Sequence, residues 1–390
     1  MLVSEVSVPT LKRRGAETRR QPVPPPSPIS AMSNQTAIRG VTHTAGLEKN
    51  YRARAVHETS VAEDMQCDAP VTLTREVTTY RLKGAPHLLV EHLGATIGSV
   101  VHGVDMSATS PSEATALKAL LLERKVIFFR EQHITEQQHI EFSRQFGPLE
   151  IHPFNPMHPE HDEIIPIYSG AKYVGSTNRW HSDVMWRMEP SLGSLLRARV
   201  VPTPSGGDTL FPDMYAAYNG LPADLKAQID GLFAVNSGAA NGSKEKARTR
   251  LAERGASQEE LDAFDRRYAS IPIPVHPVVR THPETGKKAL YVNRSFTRFI
   301  VGMEDSESKQ LLETLYRQAD TPEYQCRFKW EVGSVAFWDN RACQHYGSSD
   351  YWPQRRRMER VTVAGDRPYY EDSKTRERQY SYALEERAQE

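Results

Sequence analysis

The sequence predicts a mainly β domain with flanking helices, built as an antiparallel barrel or jelly roll. Three observations carry this. Short β-type runs, "SLLRARVV", "ALYVN", "SVAFWD" and "RVTVAGD", recur through the second half and are broken by Pro and Gly. Two helix signatures come before them, and one charged helical stretch at 243–270 interrupts them. No internal repeat is visible.

Residues 1–75 differ in texture from the rest. "QPVPPPSPIS" is of polyproline type, and the stretch after it has few large apolar residues and no sustained period. Such a composition buries too little apolar surface to offset its ordering entropy. A disordered N-terminal extension without catalytic role is expected, with Met32 as an alternative start. The folded domain is expected over 76–372 and a short tail over 373–390.

Within the domain, "HLLVEHLGATIGSVVHGVDM" reads as two short strands separated by glycine turns. "SPSEATALKALLLERK" opens with a Ser-Pro-Ser-Glu helix start and carries an apolar stripe. "VIFFR" reads as a buried strand, and "TEQQHIEFSRQFG" as a second helix closed by Gly147. The charged piece at 243–270 reads as one helical insertion.

Bulk composition narrows the function. Among 390 residues, Lys plus Arg equals Asp plus Glu at 49 each, a balance that excludes the basic excess of a nucleic-acid binder. No stretch approaches the roughly 20 apolar residues of a membrane helix, and the start lacks a secretory apolar segment. Cys67, Cys326 and Cys343 are too scattered for a disulfide framework or a thiolate metal site. Free thiols, a cytoplasmic location and a homo-oligomer (dimer or tetramer) acting on a small anionic molecule, without nucleic-acid or membrane partners, are expected.

Chemistry is concentrated in "RWHSDV". On a strand, His181 and Asp183 would share a face and present an imidazole beside a carboxylate. Two ligands do not make a metal site. His345, directly after the buried-looking strand "SVAFWD", is the natural third. Two histidines and one carboxylate can occupy one face of an octahedron and leave three positions open, as in non-heme Fe(II) oxygenases. Beyond them, "RRMERVTV" as a strand puts Arg356, Met358, Arg360 and Thr362 on one face. Arg356 and Arg360 would then serve two anions in one cavity, while Arg355 and Arg357 read as a solvated basic face.

With these residues the chain resembles the TauD/TfdA family of Fe(II)/2-oxoglutarate dioxygenases, and within it the taurine (sulfonate) dioxygenase branch. The resemblance is carried by "LGATIGSVVHGVDM", "FGPLEIHPF", "WHSDV", "PSGGDTLF", "HPVVRTHPETGKKALYVN" and "WDNRACQHYGSSDYWPQRRRMERVTVAGDRPYY", in order from about residue 85 to 370. It implies a double-stranded β-helix core, with His181, Asp183 and His345 holding Fe(II). It also implies that Arg356 and Thr209 bind 2-oxoglutarate, that O2 is consumed, and that Arg360, His152, Phe296 and Thr177 face the substrate.

The implied reaction hydroxylates the carbon next to the sulfonate of taurine or a related alkylsulfonate, giving sulfite, aldehyde, succinate and CO2. Alkyl sulfate esters or phenoxyacids are the alternative substrates, and a non-catalytic anion-binding member is the alternative of another class. Asn155 and Thr177 stand where the taurine enzymes have tyrosine and asparagine, which loosens the tie to taurine itself.

Overall fold

The structure, a computed structural model, describes residues 79–152, 158–171, 178–238, 243–253, 255–269 and 273–371. The expected N-terminal extension and C-terminal tail, Cys67, Asn155 and Thr177 lie outside the described residues. From the N-terminal side, strands β1 (Thr79–Leu82), β2 (Ala85–His92) and β3 (Ser99–His102) lead to helix α1 (Pro111–Arg124) and strand β4 (Val126–Phe129). Helix α2 (Glu136–Arg144) and strand β5 (Ile164–Ser169) follow, then β6 (Gly193–Val200) and β7 (Thr209–Pro212). Next come α3 (Met214–Asn219), α4 (Ala223–Ile229), β8 (Phe233–Asn236), α5 (Ser243–Glu253) and α6 (Gln258–Ala269). Strands β9 (Val275–Pro277), β10 (Val279–Thr281), β11 (Lys288–Leu290) and β12 (Thr297–Ile300) precede α7 (Asp305–Tyr316). The last strands are β13 (Gln325–Phe328), β14 (Val335–Asp339), β15 (Tyr346–Gly347) and β16 (Arg356–Val363).

Eight strands make the large sheet, in the order β1-β2-β3-β4-β14-β6-β16-β5, and β13-β7-β15 make a smaller one. Alternation along β14 decides the layering, because successive side chains point to opposite faces. Val335 and Phe337 pack with Leu117, Leu121 and Phe142 of α1 and α2. Ala336 and Trp338 face the other way, into a core shared with Phe211 of β7 and Phe328 of β13. Phe128 stacks on Phe328 at 4.0 Å between centroids, which ties the two sheets face to face. Helices therefore cover one face of the large sheet, and the small sheet covers the other. This strand-rich sandwich with flanking helices is the jelly-roll core that the sequence predicts.

Local signals account for most boundaries. Ser110 and Thr135 each form a capping box, with Glu113 and Gln138, at the starts of α1 and α2. The charged stretch at 243–270 is not one helix but two, α5 and α6. Between them Gly255 takes φ +86°, in the region glycine adopts without penalty. Ser257 then caps the second helix: its hydroxyl accepts from the Glu260 N–H at 3.3 Å, and the Glu260 carboxylate accepts from the Ser257 N–H at 2.7 Å. Arg248 donates to Asp265 at 2.8 Å and so ties α5 to α6.

Burial pushes the imidazoles of His139 on α2 and His276 on β9 down to about 3. Both are neutral in the folded chain, whereas an unfolded histidine titrates near 6.5. Their contribution to stability is present above pH ~6.5 and is lost as pH falls towards ~3, because only the unfolded chain then takes the protons. Urea unfolding between pH 7.5 and 5 should show stability falling by up to about 1.4 kcal/mol per pH unit for each histidine. The slope should flatten in His139→Gln.

Candidate metal centre

His181 is joined to His345 by a two-residue antiparallel bridge, with N–H···O distances of 3.2 and 2.8 Å in the two directions. That bridge fixes the first and third candidate ligands against each other, with ring centroids 4.0 Å apart. The expected strand ends there. From Asp183 the chain turns, and the Arg187 N–H returns to the Val184 carbonyl at 2.9 Å. Val184 itself takes φ +46°, a region that β-branched residues rarely occupy. The peptide N–H of Asp183 donates to the Asn340 side-chain oxygen at 3.1 Å, not to a neighbouring strand. A bridge followed by a turn, not strand alternation, therefore brings Asp183 to the histidines. One ligand atom from each of His181, Asp183 and His345 lies within 4.8 Å of the others.

The electrostatics suit a cation. His181 Nδ1–H donates to the Arg179 carbonyl at 2.7 Å, which leaves Nε2 as the lone-pair nitrogen. His345 is packed between Trp338 and Phe211, with centroids at 4.7 and 6.2 Å, and its buried Nδ1 has no partner. Burial pushes both imidazoles down, so both are neutral and able to donate to a metal. Burial is the largest influence and works to raise the Asp183 carboxyl, but the Arg360 guanidinium, the two imidazoles and the Ser194 hydroxyl together hold the group below the usual carboxylate range. Arg360 Nη1 donates to Asp183 Oδ1 at 2.5 Å, and Ser194 Oγ donates to Oδ2 at 2.7 Å. Oδ1 lies 3.9 Å from His345 Nε2. Two neutral imidazoles beside an ionised carboxylate whose second oxygen is already fixed are a donor set that fits a divalent metal.

A second polar feature begins at the start of β16. Arg356 is 8% exposed, with its guanidinium 5.8 Å from the Trp330 ring and 6.0 Å from that of Tyr351. Its Nε is buried without a partner, and among the described residues no carboxylate forms an ion pair with it. Burial works against its charge, yet arginine stays protonated. Gly207, at φ +73°, lies against it so closely that a Cβ there would sit 3.1 Å from Arg356 Cδ. Thr209 is buried beside the same wall, where its hydroxyl accepts from Trp330 Nε1 at 2.9 Å. A buried, unpaired guanidinium is costly, and a carboxylate from outside the chain would complete it.

The remaining sequence-predicted positions fall around the three ligands, with one exception. The Phe296 ring lies 6.5 Å from that of His181. His152 meets Trp186 edge-on at 6.1 Å, and burial first, then Arg360 and Arg187, push it down to about 3. Arg360 shares the inward face of β16 with Arg356, as expected, although it rests on the ligand carboxylate. Thr177 lies outside the described residues. Arg355 is exposed, whereas Arg357 is only half-buried and also donates at 3.1 Å to Glu359, which is fully buried. Sequence reasoning missed Ser194, Asn340, Trp330 and Tyr351. For Ser194 a signal existed, since it is the one small polar residue in the strand run "SLLRARVV".

Comparison with known proteins identifies the family. The family model for "Taurine catabolism dioxygenase TauD, TfdA family" matches residues 89–362. An alkylsulfatase of Acinetobacter baylyi is 33% identical over 295 residues, covering 74% of this chain and 89% of the relative. An alpha-ketoglutarate-dependent sulfonate dioxygenase of Saccharomyces cerevisiae is 32% identical over 299 residues, covering 72% and 68% respectively. The crystal structure of a taurine dioxygenase from Burkholderia xenovorans superposes with a TM-score of 0.60 at 37% identity, over 73% of this chain and 92% of that one. The chain belongs to the TauD, TfdA family of alpha-ketoglutarate-dependent dioxygenases.

Proposed function

We propose that the chain uses Fe(II), 2-oxoglutarate and O2 to hydroxylate the carbon next to the sulfonate of an alkylsulfonate. The observation that carries this reading is the pair of arginines on the inward face of β16. Arg356 is buried with its Nε unpartnered and no carboxylate ion-paired with it among the described residues, and Arg360 lies against Oδ1 of Asp183. Two guanidinium groups on one strand face, one of them on the candidate metal ligand, match a dicarboxylate cosubstrate and an anionic substrate.

In this reading His181, Asp183 and His345 hold the iron. Arg356 takes the distal carboxylate of 2-oxoglutarate through its planar fork, and Thr209 helps to hold that cosubstrate. Arg360 and the neutral imidazole of His152 receive the sulfonate, and Phe296 forms an apolar wall next to His181. Thr177 joins them on the sequence resemblance alone. When bound, iron and 2-oxoglutarate supply the oxidising chemistry: one oxygen atom of O2 ends in succinate, the other on the substrate carbon, and CO2 leaves. Once that carbon carries a hydroxyl, the C–S bond breaks, the carbon becomes an aldehyde and sulfur departs as sulfite. Alkyl sulfate esters are the second reading, favoured by the alkylsulfatase that matches at 33% identity.

A panel of taurine, longer alkylsulfonates, alkyl sulfates and phenoxyacids, scored by succinate and by sulfite, tests the substrate. Succinate and sulfite formed in equal amounts from an alkylsulfonate are expected. Succinate formed only with alkyl sulfates, with sulfate released, would replace the first reading by the second.

Arg356→Leu should weaken 2-oxoglutarate binding by about 100-fold, the scale of losing charge-assisted hydrogen bonds. Arg360→Gln, which also removes a partner of Asp183, should weaken the sulfonate more than it weakens 2-oxoglutarate. Anaerobic titration followed by the colour formed with Fe(II) and 2-oxoglutarate separates the two, and His345→Ala should abolish that colour.

A further inference from the structure

The stretch "HPVVRTHPETGKKALYVN" contributes nothing to the roles assigned above, yet His276, Arg280, His282 and Asn293 within it are all buried. We propose that His276 is a positioning residue for the metal centre, because its Nε2–H holds the turn that follows Asp183. The inference rests on reading His181, Asp183 and His345 as metal ligands.

The turn needs an external hold. Val184, directly after the ligand carboxylate, takes φ +46° and is itself buried. For a β-branched residue that conformation is unfavourable, and it persists only where the surroundings over-determine it. On the near side, Asn340 receives the Asp183 N–H. On the far side, His276 Nε2 lies 3.0 Å from both the Met185 and the Arg187 carbonyl oxygens. A nitrogen facing two carbonyls can only be the N–H donor, so the tautomer is fixed, with the lone pair on Nδ1.

Neighbouring contacts secure the same few residues. Asn293 Nδ2 approaches Met185 Sδ at 2.9 Å, and Arg187 donates to Glu150 at 2.7 Å. One end of the turn thus carries Asp183, and Trp186, against the His152 ring, sits near the other. Release of the two carbonyls lets Val184 relax, and the ligand carboxylate then leaves the place set by Ser194 and Arg360.

Mn(II) binding to the full chain, measured by calorimetry without substrate or turnover, tests this. His276→Phe should weaken Mn(II) binding by about 10- to 100-fold, the usual loss when a residue supporting a ligand is removed. His276→Gln, whose amide keeps an N–H donor, should recover most of that loss. His139→Phe, the same change at another fully buried histidine, on α2 behind the large sheet, should lower thermal stability and leave Mn(II) affinity unchanged. If the His276→Phe protein does not fold, His276→Ala serves, with added imidazole expected to restore Mn(II) affinity.

Equal Mn(II) affinity in wild type and His276→Phe would overturn the inference, as would an equal loss in His139→Phe. A wild-type chain that binds no Mn(II) would overturn the metal reading together with it.

Discussion

A carboxylate buried between two neutral imidazoles is the constraint around which the rest of the site is arranged. Asp183 is 4% exposed, so its charge needs compensation at short range. Arg360 supplies the opposite charge to Oδ1 and Ser194 the hydrogen bond to Oδ2. These two partners arrive on neighbouring strands of the large sheet, and Asp183 on a turn held by Asn340 and His276. Two strands therefore reach the side chain while two further segments hold its turn, and the pairing of β16 with β6 must be correct for the side-chain contacts to form.

That pairing shows how fold and chemistry depend on the same alternation. Along β16, Met358 enters the core between the two sheets, while Val361 and Val363 pack on the helix side. Arg356 and Arg360 keep step with Met358. Slipping the strand by one residue would turn Val361 and Val363 inward and both arginines out under the helices. The apolar cores on the two sides of the sheet thus fix the register, and the register aims the two guanidinium groups. Burial of Glu359 on the opposite face, paired with Arg357 and with Arg199 at 3.5 Å, adds a polar lock to the same register.

Much of this was legible in the sequence because it rests on local rules. The capping signatures at Ser110 and Thr135, the apolar alternation of "SVAFWD" and the spacing of Arg356 and Arg360 all have a period or a partner within a few residues. His181 and Asp183 were legible as a pair, but the reason first given for their proximity, strand alternation, does not hold. No short-range pattern announces that Val184 turns with positive φ, since the contacts that enforce it come from Asn340, His276 and Asn293. The break between α5 and α6 was local and readable, in Gly255 and the Ser257–Glu260 capping box, although the charged composition of the stretch masked it. Trp330 and Tyr351 escaped notice for another reason: their role depends on a guanidinium more than twenty residues from one and five from the other along the chain.

The two arginines differ in how they meet an anion. Arg356 has a buried Nε without partner and no ion-paired carboxylate among the described residues, so in the proposed reading its guanidinium is in place before an anion arrives. Arg360 has its Nη1 committed to Asp183 while its own Nε is buried and unpaired. A guanidinium offers five N–H donors in a rigid fork, so one edge can remain on the ligand carboxylate while another turns to a second anion. Asp183 thereby orients the arginine that the proposed reaction would use for its substrate. The candidate metal ligand and the proposed anion clamp are one hydrogen-bonded unit, and the position of either is set by the other.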